Sequence, residues 1–271
     1  MNNICNDVLR FKDILIKHKA FAKAIDLVDY LHESNLNGKR LLMITGESGV
    51  GKTTVFTSVS KNVKRYSKTV PLPASVVHLT DYFLEEMDLW IHDHASIADK
   101  MKLFIIGLNE QGVRLIVLDE SQHFAKYAKY ESVFKYTDWF NQILAETNVC
   151  FVLIGLNSSL DVFRKFKDSM CVYDFAPLKY ETQEDVAEFQ ELLCELESQL
   201  PLNKPSNLSI FSSEIFTVSQ GKMDLITSLV IDAALIAKST GNAYITSTHL
   251  FYSQTNNSLF RHINNPFRIL T

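Results

Sequence analysis

Residues 46–53 have the types and spacing of a phosphate-binding loop. They read Gly-Glu-Ser-Gly-Val-Gly-Lys-Thr, which fits G-x-x-x-x-G-K-[ST] at every fixed position. Glycines in such a loop let backbone N–H groups turn toward phosphates at the start of a helix. Lys52 should reach the β- and γ-phosphates, and the hydroxyl of Thr53 should bind Mg²⁺. The segment predicts a nucleoside triphosphate, held by Gly46, Glu47, Ser48, Gly49, Val50, Gly51, Lys52, Thr53 and Thr54.

Two carboxylates follow a strongly apolar run. The segment VRLIVLDE, residues 113–120, predicts a buried strand that ends in Asp119 and Glu120. Asp119 can hold Mg²⁺ through water, and Glu120 can orient or deprotonate a water that attacks the nucleotide. Nucleotide and small-molecule kinases usually lack an adjacent catalytic Glu, because their acceptor hydroxyl replaces water. The pair therefore favours hydrolysis over phosphate transfer.

A polar residue also ends the apolar run at 149–157. Asn157 would lie between the strand of the phosphate-binding loop and the strand that ends in Asp119, near the γ-phosphate. Such a residue can sense or orient the γ-phosphate. Asn is equally a common turn former, and the sequence leaves both interpretations open.

Apolar runs and helical patterns alternate through residues 11–178. Strands are predicted at 40–45, at about 75–80, at 113–120, at 149–157 and at 170–178. Helices are predicted at 11–35, 53–68, 99–112, 130–148 and 158–168. Strands that alternate with helices indicate a parallel sheet covered by helices.

The strand signal disappears after Lys179. We predict a helical segment at 1–36, a nucleotide-binding core at 37–178, a helical module at 179–256 and a tail at 257–271. A five-strand core followed by such a module is the outline of an AAA+ ATPase with its lid. The predicted fold class is α/β, an AAA+ P-loop core with a five-stranded parallel sheet plus a C-terminal α-helical lid.

Composition narrows the cellular setting. The formal net charge is −4 and the pI is near 6.1, so the whole chain has no general attraction for nucleic acid. The four cysteines show no metal-finger spacing and suit a reducing compartment. No window approaches the ~18 apolar residues of a membrane span. We expect a soluble, cytoplasmic protein with no membrane partner.

The run at residues 113–156 resembles the TniB/TnsC family of transposition ATPases. That family typically shows DE-x-x-H after a strand, a DW helix that ends in ET, and an apolar strand that closes with GL or GT. The matching residues here are Asp119, Glu120, His123, Asp138, Trp139, Glu146, Thr147 and Gly155. A weaker resemblance extends over residues 15–250. The resemblance to this family implies binding of ATP with Mg²⁺ and assembly of a helical or ring homo-oligomer on double-stranded DNA. It also implies a link between a TniQ-like targeting protein and a DDE transposase.

Contact with DNA would need local positive charge. Lys61, Lys64, Arg65 and Lys68 are spaced i, i+3, i+4 and i+7, which predicts one basic face of a helix. Lys126 and Lys129 lie among tyrosines in a second cluster. Each cluster alone is also compatible with a solvated helix face. The resemblance favours contacts to DNA phosphates, which do not depend on base sequence.

Two positions depart from the family pattern. Cys171 stands where many relatives carry an arginine finger, and Leu225 stands where they carry an Arg in the lid. Arg164 and Lys167 are the nearest substitutes for the finger, and Lys222 is the cation near Leu225. Because a finger contributes strongly to the hydrolysis rate where it operates, we predict slow hydrolysis.

Two alternatives stay open at this point. The chain could be a nearly non-catalytic, ATP-gated scaffold or adaptor, as Cys171 and Leu225 suggest. It could also be another P-loop NTPase, such as a small-molecule kinase, which would release a phosphorylated product.

Overall fold

The chain forms two compact units. The computed structural model describes residues 16–58, 64–92, 94–126, 130–166 and 168–267. The α/β unit comprises residues 19–48 and 52–175, and the helical unit comprises residues 176–271 together with 1–18 and 49–51. The four predicted segment bounds stay a prediction.

A five-stranded parallel sheet forms the centre of the α/β unit. Its strands are β1 (Leu41–Thr45), β2 (Arg65–Thr69), β3 (Leu115–Asp119), β4 (Cys150–Gly155) and β5 (Met170–Asp174). They lie in the order β2-β3-β4-β1-β5, and every neighbouring pair is parallel. The predicted five-stranded parallel sheet is confirmed, and β4 lies between β1 and β3 as expected.

Helices cover this sheet. They are α1 (Lys19–Gly38), α2 (Lys52–Ser58), α3 (Val76–Glu86), α4 (Ile97–Glu110), α5 (His123–Lys126) and α6 (Tyr130–Glu146). The segment after β4, predicted as one helix over 158–168, instead contains two 3-10 turns, Asn157–Asp161 and Arg164–Phe166. Burial explains the apolar sequences of the central strands, because every residue of β1, β3 and β4 is buried. Near-continuous apolar runs are typical of strands that are covered on both faces.

The second strand differs from the prediction. We expected a strand at about 75–80 and a helix over 53–68. The structure has helix α3 at Val76–Glu86, and strand β2 at Arg65–Thr69. The helix that begins at Lys52 is described as far as Ser58, and residues 59–63 lie outside the described residues.

Local chemistry explains both errors. Ser75 accepts a hydrogen bond from the His78 N–H and caps α3, whose buried Leu79 and Phe83 recur at helical spacing. The β-branched Val76 and Val77 suggested a strand, but they lie in the first turn of this helix. Strand β2 is at the edge of the sheet and pairs with β3 alone, so it carries polar side chains that resemble a helix face.

Aromatic side chains pack between the sheet and its helices. Phe104 stacks on Phe83 with ring centroids 5.6 Å apart and on Trp139 with centroids 6.0 Å apart. The indole N–H of Trp139 donates to Thr80 Oγ1 at 2.9 Å, so the buried ring has its polar group satisfied. Trp139 is 4% exposed, whereas Trp90, in the loop between α3 and α4, is 90% exposed.

The helical unit has its own apolar core. Its helices are α7 (Gln183–Ser198), α8 (Ser212–Ser219), α9 (Met223–Ser239) and α10 (Ser247–Asn256), with 3-10 turns at Leu208–Phe211 and Ser258–Phe260. Thr182 and Asp185 form a capping box at the start of α7. Leu193, Ile215 and Leu229 are fully buried in this core. Over the residues that the structure describes, no helix has the length and apolar character needed to cross a membrane.

Candidate functional site

The phosphate-binding loop connects β1 to α2. Gly46 is buried, and a Cβ atom added to it would lie 2.3 Å from the carbonyl oxygen of Phe175. Phe175 is held there because its N–H donates to the Thr45 carbonyl at 2.6 Å. Gly49 and Gly51 have φ values of +84° and +106°, which side chains disfavour. The glycines of the motif therefore meet steric and conformational requirements of the loop.

Lys52 is the first residue of α2 and is buried. Its ammonium donates to the carbonyl of Gly46 at 3.0 Å and to that of Glu47. Burial lowers the pKa of Lys52, while the nearby charges of Asp119, Glu120 and Glu47 oppose that shift. The ammonium lies inside the loop, where it could bind phosphate oxygens.

Asp119 and Thr53 offer two hard oxygen ligands side by side. Asp119 is the last residue of β3, is 5% exposed, and accepts the N–H of Glu120 at 2.9 Å. Burial raises the pKa of Asp119 most strongly, and hydrogen bonds from the Glu120 N–H and the Thr53 side chain partly offset this rise. A carboxylate next to a hydroxyl suits Mg²⁺, which prefers oxygen ligands. These two residues could therefore hold Mg²⁺ together with a nucleotide.

Glu120 directly follows the sheet and leaves it in an unusual conformation. Its φ is +58°, in the left-handed region, and its side chain is 41% exposed. Its Oε2 accepts a hydrogen bond from Gln122 Nε2. His123 Nδ1 donates to the Val70 carbonyl at 2.7 Å, since a carbonyl can only accept, and its Nε2 lies 3.8 Å from Glu120 Oε2. Two neighbouring side chains thus border the carboxylate.

The other two predicted catalytic residues are exposed. Asn157 begins the 3-10 turn two residues after β4, and that strand lies between β1 and β3. Because carboxyl ends of parallel strands meet at one edge of a sheet, Asn157 lies at the same edge as Asp119. Arg164 lies farther along, and its guanidinium pairs with Asp161 at 2.7 Å.

Cys171 and Leu225 have structural surroundings of their own. Cys171 lies inside β5 and pairs in register with Leu42, rather than before the strand as the family pattern places its Arg. Leu225 packs against the apolar core of the helical unit. Beside it, the N–H of Asp224 donates to the carbonyl of Gly49 at 3.0 Å, and both residues belong to the helical unit.

The basic helix face predicted for DNA binding is wrong. Arg65 and Lys68 lie in strand β2, and Lys64 directly precedes it. Side chains three residues apart in a strand point to opposite faces, so these cations cannot share one helical stripe. The ammonium of Lys68 lies 3.4 Å from the ring centroid of Tyr82. Lys126 ends α5, while Lys61 and Lys129 lie outside the described residues.

Sequence reasoning missed Gln122. Its side chain contacts Glu120 on one side and the backbone of Leu156 on the other. The preceding residue, Ser121, is buried, and its hydroxyl donates to Ser159 Oγ at 3.0 Å. Two polar residues directly after a strand that ends in Asp-Glu were the available signal, because polar groups buried at such a place need partners.

One known family model matches the region around the phosphate-binding loop. The AAA domain family matches residues 35–163 of this chain, slightly less than half of its length. The chain has the AAA+ P-loop fold predicted for it, and it is an ATPase, as predicted. No curated protein sequence matches the chain.

Solved structures share this fold at low sequence identity. The Aeropyrum pernix ORC2 protein in its ADP form is 15% identical, with a TM-score of 0.67 over 93% of this chain and 73% of that one. The Drosophila ORC bound to DNA is 14% identical, with a TM-score of 0.60 over 92% and 66%. The Aeropyrum pernix ORC1 protein in complex with DNA is 16% identical, with a TM-score of 0.55 over 90% and 66%. This chain thus spans about two thirds to three quarters of the length of these three chains.

Proposed function

We propose that this ATPase is a TniB/TnsC-like transposition regulator of the cytoplasm. With ATP it oligomerises on double-stranded DNA and links a TniQ-like targeting protein to a DDE transposase. The observation that carries the proposal is the resembling run at 113–156, which contains β3, α5, α6 and β4 and brings Asp119 and Glu120 to the edge of the sheet. Two proteins of similar fold, Drosophila ORC and Aeropyrum pernix ORC1, are bound to DNA in their structures, which supports DNA as a partner.

The proposed chemistry is hydrolysis of ATP to ADP and phosphate. Lys52 binds phosphate oxygens, and the loop N–H groups do the same. Thr53 and Asp119 would hold Mg²⁺, which would neutralise developing charge on the phosphates. Glu120 accepts a proton from water while the water oxygen bonds to the γ-phosphorus. The bond to the β–γ bridging oxygen breaks, and its electron pair leaves with ADP. Asn157 is proposed to orient the γ-phosphate.

Hydrolysis is proposed to be slow and to need assembly. Neither Cys171 nor Leu225 supplies the cation that relatives carry at those places. Arg164, proposed to act on a neighbouring subunit, is exposed but pairs with Asp161 in its own chain. An ion pair on the surface is weak, so a neighbour's phosphate could displace the carboxylate.

The proposed DNA contacts lie along a strand instead of the helix face expected from the sequence. Lys64, Arg65 and Lys68 are proposed to meet phosphates along the edge strand β2, rather than along a helix. Lys126, Lys61 and Lys129 stay proposed contacts from the sequence pattern. Because phosphates carry no base identity, such binding depends on salt and not on sequence.

Assembly is the decisive test of this proposal. We expect the wild-type chain to form large species with ATP and duplex DNA in sedimentation velocity, and ordered oligomers in negative-stain microscopy. Lys52→Ala should abolish ATP-dependent assembly because the loop loses its phosphate cation. Lys102→Ala, which changes an exposed lysine on α4, is the matched control and should assemble normally. A wild-type chain that stays monomeric with ATP and DNA would contradict the proposal.

A nearly non-catalytic, ATP-gated scaffold is the second candidate. Two observations favour it: Cys171 lies inside β5, and Leu225 packs against an apolar core. Glu120→Gln separates the two candidates. The ATPase regulator predicts that this variant assembles as wild type does but disassembles more slowly. The scaffold predicts no change in disassembly, because hydrolysis would not drive it.

A further inference from the structure

Gln122 joins the proposed general base to the end of strand β4. Its Nε2 donates to Glu120 Oε2, and its Oε1 accepts the N–H of Leu156 at 3.1 Å. The two partners fix the orientation of the amide, because an ionised carboxylate can only accept and a backbone N–H can only donate. The side chain therefore spans from Glu120, after β3, to Leu156, after β4.

The space for this bridge exists because residue 155 is glycine. Gly155 is the buried last residue of β4. A Cβ atom added to it would lie 2.7 Å from Gln122 Oε1 and 2.4 Å from Ser121 Oγ. Contacts this short require a neighbour to move. The position of the Gln122 amide thus depends on the backbone of both strands.

Glu120 needs help to hold its carboxylate in one direction. Its side chain is 41% exposed, and an exposed glutamate has several rotamers at similar energy. The charged and titratable groups around it are Lys52, Asp119 and His123, and none of them donates a hydrogen bond to it among the contacts described. Gln122 is the side chain that does. A general base acts only when its oxygen is within hydrogen-bond reach of the water.

We infer that Gln122 is a positioning residue for ATP hydrolysis. Its amide orients the Glu120 carboxylate toward the attacking water and ties that orientation to the end of β4, where Asn157 follows. A movement of the backbone at the end of β4 would therefore be transmitted to Glu120 through the Gln122 side chain. This inference rests on the proposed role of Glu120 as the base.

Gln122→Met is the direct test, since methionine keeps the length but can neither donate nor accept strongly. We expect kcat to fall on the order of tenfold or more, the change expected from losing one hydrogen bond to a charged group, while KM for ATP changes less than about twofold. Measurements use the full chain with duplex DNA, under the conditions of highest wild-type rate.

Gln111→Met is the matched control in the same unit. The Gln111 side chain is also bonded at both ends, accepting from the Tyr66 hydroxyl at 2.8 Å and donating to the Met87 carbonyl at 2.9 Å. Its loss should lower the unfolding temperature without changing kcat or KM for ATP. Equal effects of the two substitutions on kcat and KM would reduce Gln122 to a structural role and overturn the inference.

Gln122→Glu separates orientation from support. Glutamate keeps the acceptor for the Leu156 N–H but places a second carboxylate against Glu120, and like charges repel. If Gln122 orients Glu120, Gln122→Glu should lose more kcat than Gln122→Met. If Gln122 only supports β4, Gln122→Glu should lose less kcat, because the hydrogen bond to Leu156 survives. The second result would count against the inference.

The Glu120→Gln variant distinguishes failure of the inference about Gln122 from failure of the assignment of Glu120 as the base. If Glu120→Gln abolishes turnover while Gln122→Met behaves as wild type, the inference alone fails. If Glu120→Gln hydrolyses ATP at the wild-type rate, the assignment of the base fails and the inference fails with it. A wild-type chain that releases no phosphate even in a single-turnover assay would also overturn both.

Discussion

Strands β3 and β2 are neighbours in the sheet but differ in how firmly their side chains are fixed. They pair residue by residue from Arg65 opposite Leu115 to Thr69 opposite Asp119. Every residue of β3 is buried, and the residues after it are held by Gln122 and the backbone of β4. Strand β2 is half-buried at the sheet edge, and its cations lie along a partly solvated surface. A strand paired on both sides holds the functional side chains that follow it in fixed positions, whereas an edge strand mainly exposes charged side chains to solvent.

The largest effect should come from adding one methyl group directly after the central strand β1. Gly46→Ala places a Cβ 2.3 Å from a backbone carbonyl, which cannot rotate away, so the loop must shift. We expect ATP affinity to fall at least about tenfold, equivalent to ~1.4 kcal/mol. Titration with ATP in a calorimeter measures it.

Gly112→Ala is the control for Gly46→Ala. Gly112 has φ +64°, and an added Cβ would meet nothing within 4 Å. It should cost about 1 to 2 kcal/mol of unfolding free energy through backbone strain alone and leave ATP affinity intact. Equal losses of affinity would show that the close contact of Gly46 is unimportant.

Without nucleotide, Asp119→Asn should stabilise the folded chain, and this stabilisation should grow as pH rises through the pKa of Asp119. Burial raises the pKa of Asp119 in the folded protein above its ordinary value of 3.8. The folded state therefore binds this proton more tightly than the unfolded state, so the stability that Asp119 contributes is fully present below pH 3.8 and is lost as pH rises through the higher folded pKa. The asparagine variant has no proton to lose at this site. Its advantage in unfolding free energy over wild type should grow from acidic pH toward neutral, as measured by urea unfolding.

The pH series has one outcome that would contradict this expectation. If the difference in unfolding free energy between Asp119→Asn and wild type did not vary with pH, burial of Asp119 would not control its titration. Hydrolysis should be lost in the Asp119 variant despite its added stability, because Mg²⁺ loses a ligand.

The smallest effect should come from the edge strand. Lys64→Ala removes an exposed cation next to β2, so ATP hydrolysis without DNA should stay at the wild-type rate. Affinity for duplex DNA should fall, and the slope of log affinity against log salt should shrink by about 1. Fluorescence anisotropy at several salt concentrations measures both. An unchanged slope, matching that of Lys102→Ala, would remove Lys64 from the proposed DNA contacts.

The central part of the fold could be predicted from sequence for a physical reason. Strands β1, β3 and β4 are buried on both faces, so their sequences are nearly continuous apolar runs that end where the polar site begins. The phosphate-binding loop needs glycine at Gly46, Gly49 and Gly51 because of one close contact and two positive φ values. Such requirements leave a pattern that sequence reading can find.

The edge strand and the contacts of Gln122 left no comparable pattern in the sequence. An edge strand such as β2 tolerates charges on a half-solvated surface, so its sequence resembles a helix. Gln122 acts through a contact with Leu156, 34 residues away, and no local spacing encodes that pairing. The roles of Asn157, Arg164 and the proposed DNA contacts stay predictions. The structure gives the places of Asn157 and Arg164, whereas Lys61 and Lys129 lie outside the residues that it describes.

The opposite exposures of the two tryptophans give the protein a built-in pair of optical probes. Trp139, buried in the aromatic stack with Phe104, should emit at shorter wavelength and resist collisional quenching. Trp90 should emit at longer wavelength and be quenched readily by iodide or acrylamide. A Trp90→Phe protein would therefore carry one reporter, whose fluorescence follows the packing of the α/β unit during unfolding. Wild-type emission, by contrast, also senses whatever molecule comes to lie against the loop between α3 and α4.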